Sequence, residues 1–194
     1  FFGGFVLARV LGNEQIDRLL ANRVLSRFAL RGPAKLLAAT MVLGWFMSMW
    51  ISNTAAAAMM IALVAPLRAV LGPKDGLQAS LVLGIAFAAN IGGMVTPIGS
   101  PPNAIALGAM RDAGSTLSFA QWVAFGFPFS LVLLATAWWL LSRSLRHRSD
   151  RIELPPTTGR LAMRGKFVIG VFVLTVLLWF AEPVHGLSSA VVAL

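Results

Sequence analysis

The sequence predicts an all-α, polytopic membrane protein, and three observations lead to this fold class. Hydrophobic residues make up 58% of the 194-residue chain and charged residues only 12%, against roughly 25% charged residues in soluble domains. The mean hydropathy is +0.80, and apolar segments recur along the whole length, so a signal peptide does not explain the composition. Finally, two polar, helix-breaking stretches interrupt otherwise apolar sequence.

The net charge of +9 is distributed as in membrane proteins. Fourteen of the sixteen Lys and Arg residues lie in three hydrophilic stretches, 18–35, 68–74 and 143–166. Basic loops that alternate with apolar spans follow the positive-inside rule, which places all three stretches on the cytoplasmic face. Because no aromatic-interleaved basic motif is present, no nucleic-acid partner is expected. The lack of Cys excludes disulfides and thiolate metal sites.

The first break is the tripeptide Ser52-Asn53-Thr54. Its flanking apolar arms, 34–51 and 55–71, would each be about 25 Å long as helices, slightly short of the ~30 Å hydrocarbon core. The pattern alone allows two spanning helices or a re-entrant hairpin over 34–72 with the tripeptide at its tip. In both cases Asn53 or Thr54 is predicted to cap the helix that runs from Ala55.

The second break, within residues 90–103, contains three glycines and three prolines. As one helix, residues 78–110 would extend about 50 Å, too long for one straight span. The sequence therefore predicts a discontinuous transmembrane helix over 78–112, divided into 78–91, a loop and 104–110. Irregular backbone survives at membrane depth only when it is buried or lines a cavity. Two such breaks indicate discontinuous helices around an ion or solute site, as in secondary transporters.

The remaining segments complete the predicted topology. Residues 1–33 should contain the end of a transmembrane helix and a cytoplasmic, interfacial amphipathic helix. A transmembrane helix over 118–142, a basic cytoplasmic loop over 143–165 and a transmembrane helix over 166–183 follow. Residues 186–194 would begin another helix. Since both ends lie in apolar sequence, the chain is expected to be a fragment of a longer protein.

The polar chemistry of the apolar segments favours binding over catalysis. All seven acidic residues and both His residues lie in loops or at helix ends, so no buried pair suits acid–base work and no cluster suits a metal. The chain is therefore predicted not to be an enzyme. Helix N-termini at the two breaks would hold an anion without a basic side chain. Ser48, Ser52 and loop carbonyls offer oxygens to a hard cation such as sodium. A transporter is predicted, with part of a channel or receptor as the alternative.

Two motifs resemble those of the divalent anion/sodium symporter family, which includes sodium-coupled dicarboxylate and sulfate transporters. Residues 48–60 read SMWISNTAAAAMM, similar to the family's first hairpin motif, and residues 91–103 read IGGMVTPIGSPPN, similar to the loop that interrupts its fifth helix. A weaker likeness extends through Gly3-Gly4-Phe5, the amphipathic helix and residues 118–122. The resemblance implies one half of an inverted-repeat transporter, with a re-entrant helical hairpin, a broken transmembrane helix and an elevator-like alternating-access mechanism. Residues 1–33 would then lie on the scaffold side.

The resemblance also implies which residues bind. The sodium ion would contact Ser48, Ser52, Asn53, Gly99 and Asn103, and the substrate would contact Asn53, Thr54, Ser100 and Pro101. Asn90 stands where a small hydroxyl residue is common in the family, and we assign no functional role to this difference. The second Ser-Asn-Thr and second Gly-rich break of the family do not occur in this sequence. The chain is therefore expected to hold one sodium site and half a substrate site.

By resemblance, the predicted function is sodium-coupled symport of small divalent anions, either di- or tricarboxylates or sulfate. The implied location is the bacterial cytoplasmic membrane, as a multi-pass protein in the lipid bilayer that forms homodimers. Sodium would be the coupling ion, with no other cofactor. Two alternatives remain open: a sodium-independent anion exchanger of the same fold, and a passive anion channel.

Overall fold

A computed structural model describes residues 32–65, 67, 76–145, 163–181 and 184. These ranges contain helices and no strand, so the all-helical prediction is confirmed there. The helices are α1 (Pro33–Ser48), α2 (Asn53–Val64), α3 (Gly76–Gly93), α4 (Pro101–Asp112), α5 (Phe119–Ser142) with a 3-10 turn at Arg143–Leu145, and α6 (Met163–Phe180). The predicted amphipathic helix, most of the basic loop and the predicted final helix lie outside the described residues.

Helices α1 and α2 form a helical pair joined by the short turn 49–52. Pro33 begins α1, a position where the missing amide of proline leaves no helical bond unmade. Ser52 is the N-cap of α2, and its hydroxyl accepts a hydrogen bond from the Ala55 amide at 3.3 Å. The prediction that Asn53 or Thr54 caps this helix is wrong. Since Ser52 supplies the capping oxygen, the side chain of Asn53 is left for other contacts.

The break between α3 and α4 is shorter than predicted. Helix α3 continues two residues beyond the predicted end and includes Gly92 and Gly93, whereas α4 begins at Pro101, three residues before the predicted start. Hydrogen-bonded turns from the Val95 amide to the Gly92 carbonyl extend the ordered backbone further. The irregular segment is therefore 94–100. Pro suits the first turn of a helix, because its fixed φ is already helical.

The core of the described fold is the contact between α1 and α3. A Cβ atom on Gly84 would lie 2.9 Å from Leu37 Cδ1 and 3.0 Å from Met41 Cγ, so glycine lets the two helices approach closely. Small residues at such interfaces drive helix association in a bilayer, where lipid tails are as apolar as the side chains. Fully buried side chains from both helices fill the contact: Leu36, Leu37, Met41, Leu77, Leu81 and Ile85.

Helix α5 is tied to this core by indole groups. Its N-terminus carries a capping box, in which Ser118 and Gln121 each bond the other's backbone amide. The indole of Trp45 donates to the Ser130 hydroxyl at 3.2 Å, and that of Trp138 donates to the Ala34 carbonyl at 3.1 Å. At the N-terminus of α5, Phe119 stacks on Trp179 of α6 with ring centroids 5.2 Å apart.

Two helical stretches in the described residues are long and apolar enough to cross a membrane, Gly76–Gly93 and Phe119–Leu145. The first is largely enclosed by the other helices, whereas most of the second lies on the surface of the fold. Helices α1 and α2 are apolar but shorter. Large hydrophobic side chains on α5 face outward, with Phe125 75% exposed and Val132 66% exposed, as expected for a surface that meets lipid or other apolar segments.

Candidate functional site

Three oxygen atoms converge where the turn after α1 meets the end of α3. The hydroxyl oxygen of Ser48 lies 2.8 Å from Asn53 Oδ1 and 2.6 Å from the Ala89 carbonyl oxygen. A hydroxyl has one proton, so it donates to only one of these acceptors at a time. The cluster therefore has more acceptors than donors inside a buried setting, since Ser48 is fully buried. A small cation would relieve this excess.

Glycines allow the turn and α3 to come this close. A Cβ atom on Gly93 would collide with Asn53 Oδ1, and one on Gly92 would collide with the Trp45 carbonyl oxygen. A Cβ on Gly99 would lie 2.8 Å from the Gly93 carbonyl oxygen and 3.0 Å from that of Ser48. The backbone of the 94–100 loop therefore lies close against the carbonyl oxygens of Gly93 and Ser48.

Two buried polar side chains brace the loop. Asn103 donates through Nδ2 to the carbonyl oxygens of Gly93 at 2.7 Å and Thr96 at 2.8 Å. The Thr96 hydroxyl donates to the Met49 carbonyl and accepts from the Gly99 amide at 3.0 Å. Thr96 was not among the predicted site residues. Its bond to Met49 joins positions 47 residues apart, a contact that no local sequence pattern signals.

Asn90 also contacts the cluster, and it was not among the predicted site residues. Its Nδ2 donates to the Ala86 carbonyl at 2.9 Å, which turns its Oδ1 toward Asn53 Nδ2 at 3.4 Å. This contact favours the orientation of the Asn53 amide in which Oδ1 faces Ser48. An unpaired amide at the end of an apolar helix was the one available signal, and its partner is 37 residues away.

The N-terminus of α2 offers backbone donors. The first intrahelical bond runs from the Ala56 amide to the Ser52 carbonyl at 2.9 Å, so the amides of Asn53 and Thr54 precede the helical ladder. Thr54 is exposed, while Ser52 and Asn53 are half-buried. These amides and the positive end of the helix dipole suit an anion.

The N-terminus of α4 has fewer free backbone amides than predicted. Helix α4 does begin directly after Ser100, but Pro101 and Pro102 have no amide hydrogen, and the Asn103 amide donates to the Ser100 carbonyl at 3.1 Å. The two N-termini are therefore not equivalent, because the unpaired amides belong to α2. Ser100 is half-buried and Pro101 is exposed beside this helix end.

The site is electrically neutral within the described part of the chain. No Lys, Arg, Asp or Glu occurs in residues 36–65, 67 and 76–110, and no group of three or more His, Asp and Glu side chains there could hold a metal. Magnesium and calcium sites in proteins use carboxylates, whereas these oxygens come from hydroxyl, amide and backbone groups. Such a set suits a monovalent cation better than a divalent one.

The break between α3 and α4, the neutral polar site and the apolar exterior fit a membrane transporter. A family model described as "citrate transporter" matches residues 1–194, and the chain belongs to that family. It is 32% identical over 206 residues to the sodium-dependent dicarboxylate transporter SdcS of Staphylococcus aureus. This match covers 94% of the chain and 39% of that protein.

Other relatives broaden the comparison. The chain is 34% identical over 151 residues to the low-affinity phosphate transporter PHO90 of Saccharomyces cerevisiae, covering 77% of the chain and 17% of that protein. It is 40% identical over 137 residues to an uncharacterized transporter of Haemophilus influenzae, covering 69% of the chain and 28% of that protein. The chain thus spans at most 39% of the length of these three relatives.

These relationships decide two of the predictions. The resemblance to sodium-coupled dicarboxylate transporters is confirmed, because the family match spans the whole chain and SdcS proteins are among the relatives. The chain belongs to a family of transporters, and the relatives named here are transporters and not enzymes.

Proposed function

We propose that the protein to which this chain belongs is a sodium-coupled symporter of small divalent anions, di- or tricarboxylates or sulfate. The observation that carries the proposal is the oxygen cluster at Ser48, in which a single hydroxyl proton is available for two acceptors, Asn53 Oδ1 and the Ala89 carbonyl. A sodium ion would satisfy the surplus oxygen lone pairs. The sodium dependence and dicarboxylate transport named for SdcS support the same function.

The proposed sodium site uses the residues that meet at the break. Its ligands would be oxygens of Ser48, Ser52, Asn53, Gly99 and Asn103. Asn103 already donates through Nδ2 to the carbonyl oxygens of Gly93 and Thr96, which leaves its Oδ1 as an acceptor. Gly99 contributes backbone oxygen, and its position against the Ser48 carbonyl supports this role.

The proposed substrate site lies beside it, at the N-terminus of α2. The anion would accept hydrogen bonds from the amides of Asn53 and Thr54 and from the Ser100 hydroxyl, and it would lie against Pro101. Because the described site has no basic side chain, the charge of a divalent anion would be balanced by bound sodium. Each ligand would then raise the affinity for the other, and this reciprocity is the basis of symport.

The proposed architecture follows the resemblance. Helices α1 and α2 contain 16 and 12 residues, about 24 and 18 Å, both short of the ~30 Å hydrocarbon core. These lengths support a re-entrant hairpin whose Ser-Asn-Thr tip lies near the midplane. A second, inverted repeat elsewhere in the protein would complete the substrate site. We further propose a homodimer in the bacterial cytoplasmic membrane that works by an elevator-like movement.

A second candidate substrate is phosphate. The yeast relatives named as phosphate transporters, PHO90 and PHO87, match at 34% and 30% identity, similar to SdcS. Phosphate and sulfate are both compact oxyanions that helix N-termini bind. A sodium-independent exchanger and a passive anion channel are the alternatives in mechanism.

The test is uptake by the full-length parent protein in proteoliposomes. Labelled succinate, citrate, sulfate and phosphate are compared with an inward sodium gradient and with choline in its place. Saturable uptake that needs sodium would support the symporter, and the anion taken up best would be identified as the substrate. Saturable uptake that ignores sodium but needs internal anion would identify an exchanger. Flux that neither saturates nor shows counterflow would identify a channel.

In the same assay, Asn53→Ala is expected to lower sodium-dependent uptake at least about tenfold, because hydrogen bonds and contacts to charged groups contribute roughly 1.5–3 kcal/mol each. The matched control is Gln78→Ala. It also removes a side-chain amide, but from the other end of α3, ~18 Å along the helix from Asn90 and away from the proposed site. Wild-type-like uptake is expected for the control. If Asn53→Ala transported normally, the proposed site would be wrong.

A further inference from the structure

We propose that Thr96 is a positioning residue that locks the hairpin turn onto the loop of the broken helix and thereby sets the affinity for sodium. The inference rests on the proposed sodium site, whose ligands come from two separate chain segments. Thr96 would not touch the ion. It would hold the two segments at the spacing that the ion requires.

Thr96 joins three parts of the fold. Its hydroxyl donates to the Met49 carbonyl in the turn 49–52 and accepts from the Gly99 amide at 3.0 Å. Its own carbonyl accepts from Asn103 Nδ2, in the first turn of α4, at 2.8 Å. The residue is 1% exposed, so water does not replace these bonds when they are lost.

The two bonds of the Thr96 hydroxyl act at or directly beside a proposed sodium ligand. Met49 directly follows Ser48, so the bond to its carbonyl restrains the backbone between Ser48 and the tip of the hairpin. The bond to the Gly99 amide restrains the loop where Gly99 lies against the Ser48 carbonyl. A site assembled from mobile segments must order them when the ion binds, and that ordering lowers the affinity. A preformed site avoids this loss.

Thr96→Val separates this role from simple space filling. Valine has nearly the shape of threonine but neither donates nor accepts a hydrogen bond, whereas Thr96→Ser keeps the hydroxyl. Thr40→Val is the matched control: Thr40 is also fully buried, but its hydroxyl bonds only the Leu36 carbonyl of its own helix at 2.8 Å. A general effect of burying valine would appear in both variants.

The experiment measures sodium binding without transport. Purified full-length protein is titrated with sodium chloride against choline chloride at constant ionic strength, and the thermal unfolding temperature gives the half-saturating sodium concentration. Thr96→Val is expected to raise that concentration about tenfold, equivalent to ~1.4 kcal/mol. Thr96→Ser and Thr40→Val are expected to stay within about twofold of the wild type, ~0.4 kcal/mol.

The outcomes separate the two proposals. If sodium stabilises the wild type no more than choline does, the sodium site itself is wrong and this inference fails with it. If sodium stabilises the wild type but Thr96→Val has the wild-type half-saturating concentration, the inference alone is overturned, even where the variant unfolds at a lower temperature. Should Thr96→Val not accumulate, Thr96→Cys, whose thiol is a weak donor, replaces it. An unchanged half-saturating concentration for that variant would equally overturn the inference.

Discussion

At the scale of single residues, the site depends on how the Asn53 amide is oriented. Its Oδ1 meets the Ser48 hydroxyl, and its Nδ2 points to Asn90 Oδ1. Asn90 is itself oriented by its bond to Ala86. From donor to acceptor, the chain of bonds therefore runs in one direction, from the Ser48 hydroxyl through the two amides to the Ala86 carbonyl of α3. It presents oxygen, and not nitrogen, to the centre of the cluster.

Gly93→Ala should abolish this arrangement. The added Cβ would collide with Asn53 Oδ1, so the hairpin turn would have to move away from α3. Sodium-dependent uptake is expected to fall at least about tenfold, a loss of ~1.4 kcal/mol or more in binding. Gly108→Ala on α4 is the matched control, because a Cβ there meets nothing within 4 Å. Normal uptake by Gly93→Ala would show that this close approach is not needed.

Sequence reasoning found only part of this residue network. Ser48 and Asn53 lie within one motif, five positions apart, so the motif placed them in a common site. Thr96 and Asn90 were missed because their partners are 47 and 37 residues away. Hydrogen bonds of this kind follow from the packing of α1 on α3, and neither periodicity nor spacing along the chain records that packing.

At the scale of helices, α5 supports the loop that carries the site. The Trp122 indole donates to the Met94 carbonyl at 3.1 Å. A Cβ on Gly126 would lie 3.1 Å from the carbonyl oxygens of Met94 and Val95, so the loop lies close against the α5 backbone. The loop is thus held by α5 on one side and by the hairpin turn on the other.

Trp122→Phe tests the support from α5. Phenylalanine keeps an aromatic ring but removes the indole donor, so the loss should be about 1 kcal/mol, typical for one hydrogen bond. The thermal unfolding temperature of the full-length protein is expected to decrease by about 2–4 °C for a large domain. Trp139→Phe is the control: Trp139 is 46% exposed, and the Arg143 guanidinium lies over its ring, a contact that phenylalanine largely retains. Equal unfolding temperatures for the two variants would contradict the proposed support.

The ends of helices were partly predictable from sequence. The sequence predicted a helix after the second break, and α4 begins at Pro101, three residues before the predicted residue 104. Gly92 and Gly93 indicated a helix end, yet α3 continues through both. Their lack of side chains serves the close contact with Trp45 and Asn53, and the helix is stabilised by that packing. A glycine selected for close approach looks the same in sequence as one selected for a turn.

At the scale of the whole molecule, the distribution of charge bears on how the proposed anion would be bound. Residues 36–65, 67 and 76–110, which the structure describes, carry no charged side chain, so a divalent anion would depend on co-bound cations. The chain spans at most 39% of the three relatives. Composition predicted the membrane class and the resemblance predicted the family. The substrate could not be predicted, because phosphate and dicarboxylate transporters match the same residues.

The bonds that join α1, α5 and the loop have a further consequence for movement. Trp45, Trp122 and Trp138 cross-link elements that are far apart in sequence, so these elements should travel as one body during transport. Spin labels can be attached through Val42→Cys on α1 and Val132→Cys on α5, both exposed positions in a chain without native cysteine. The distance between the two labels would then report whether α1 and α5 move together. Pulsed electron resonance on the full-length protein, with any other cysteines replaced, should give the same interspin distance in inward- and outward-facing states. A distance that changed between the states would mean that the helices slide past one another during each transport cycle.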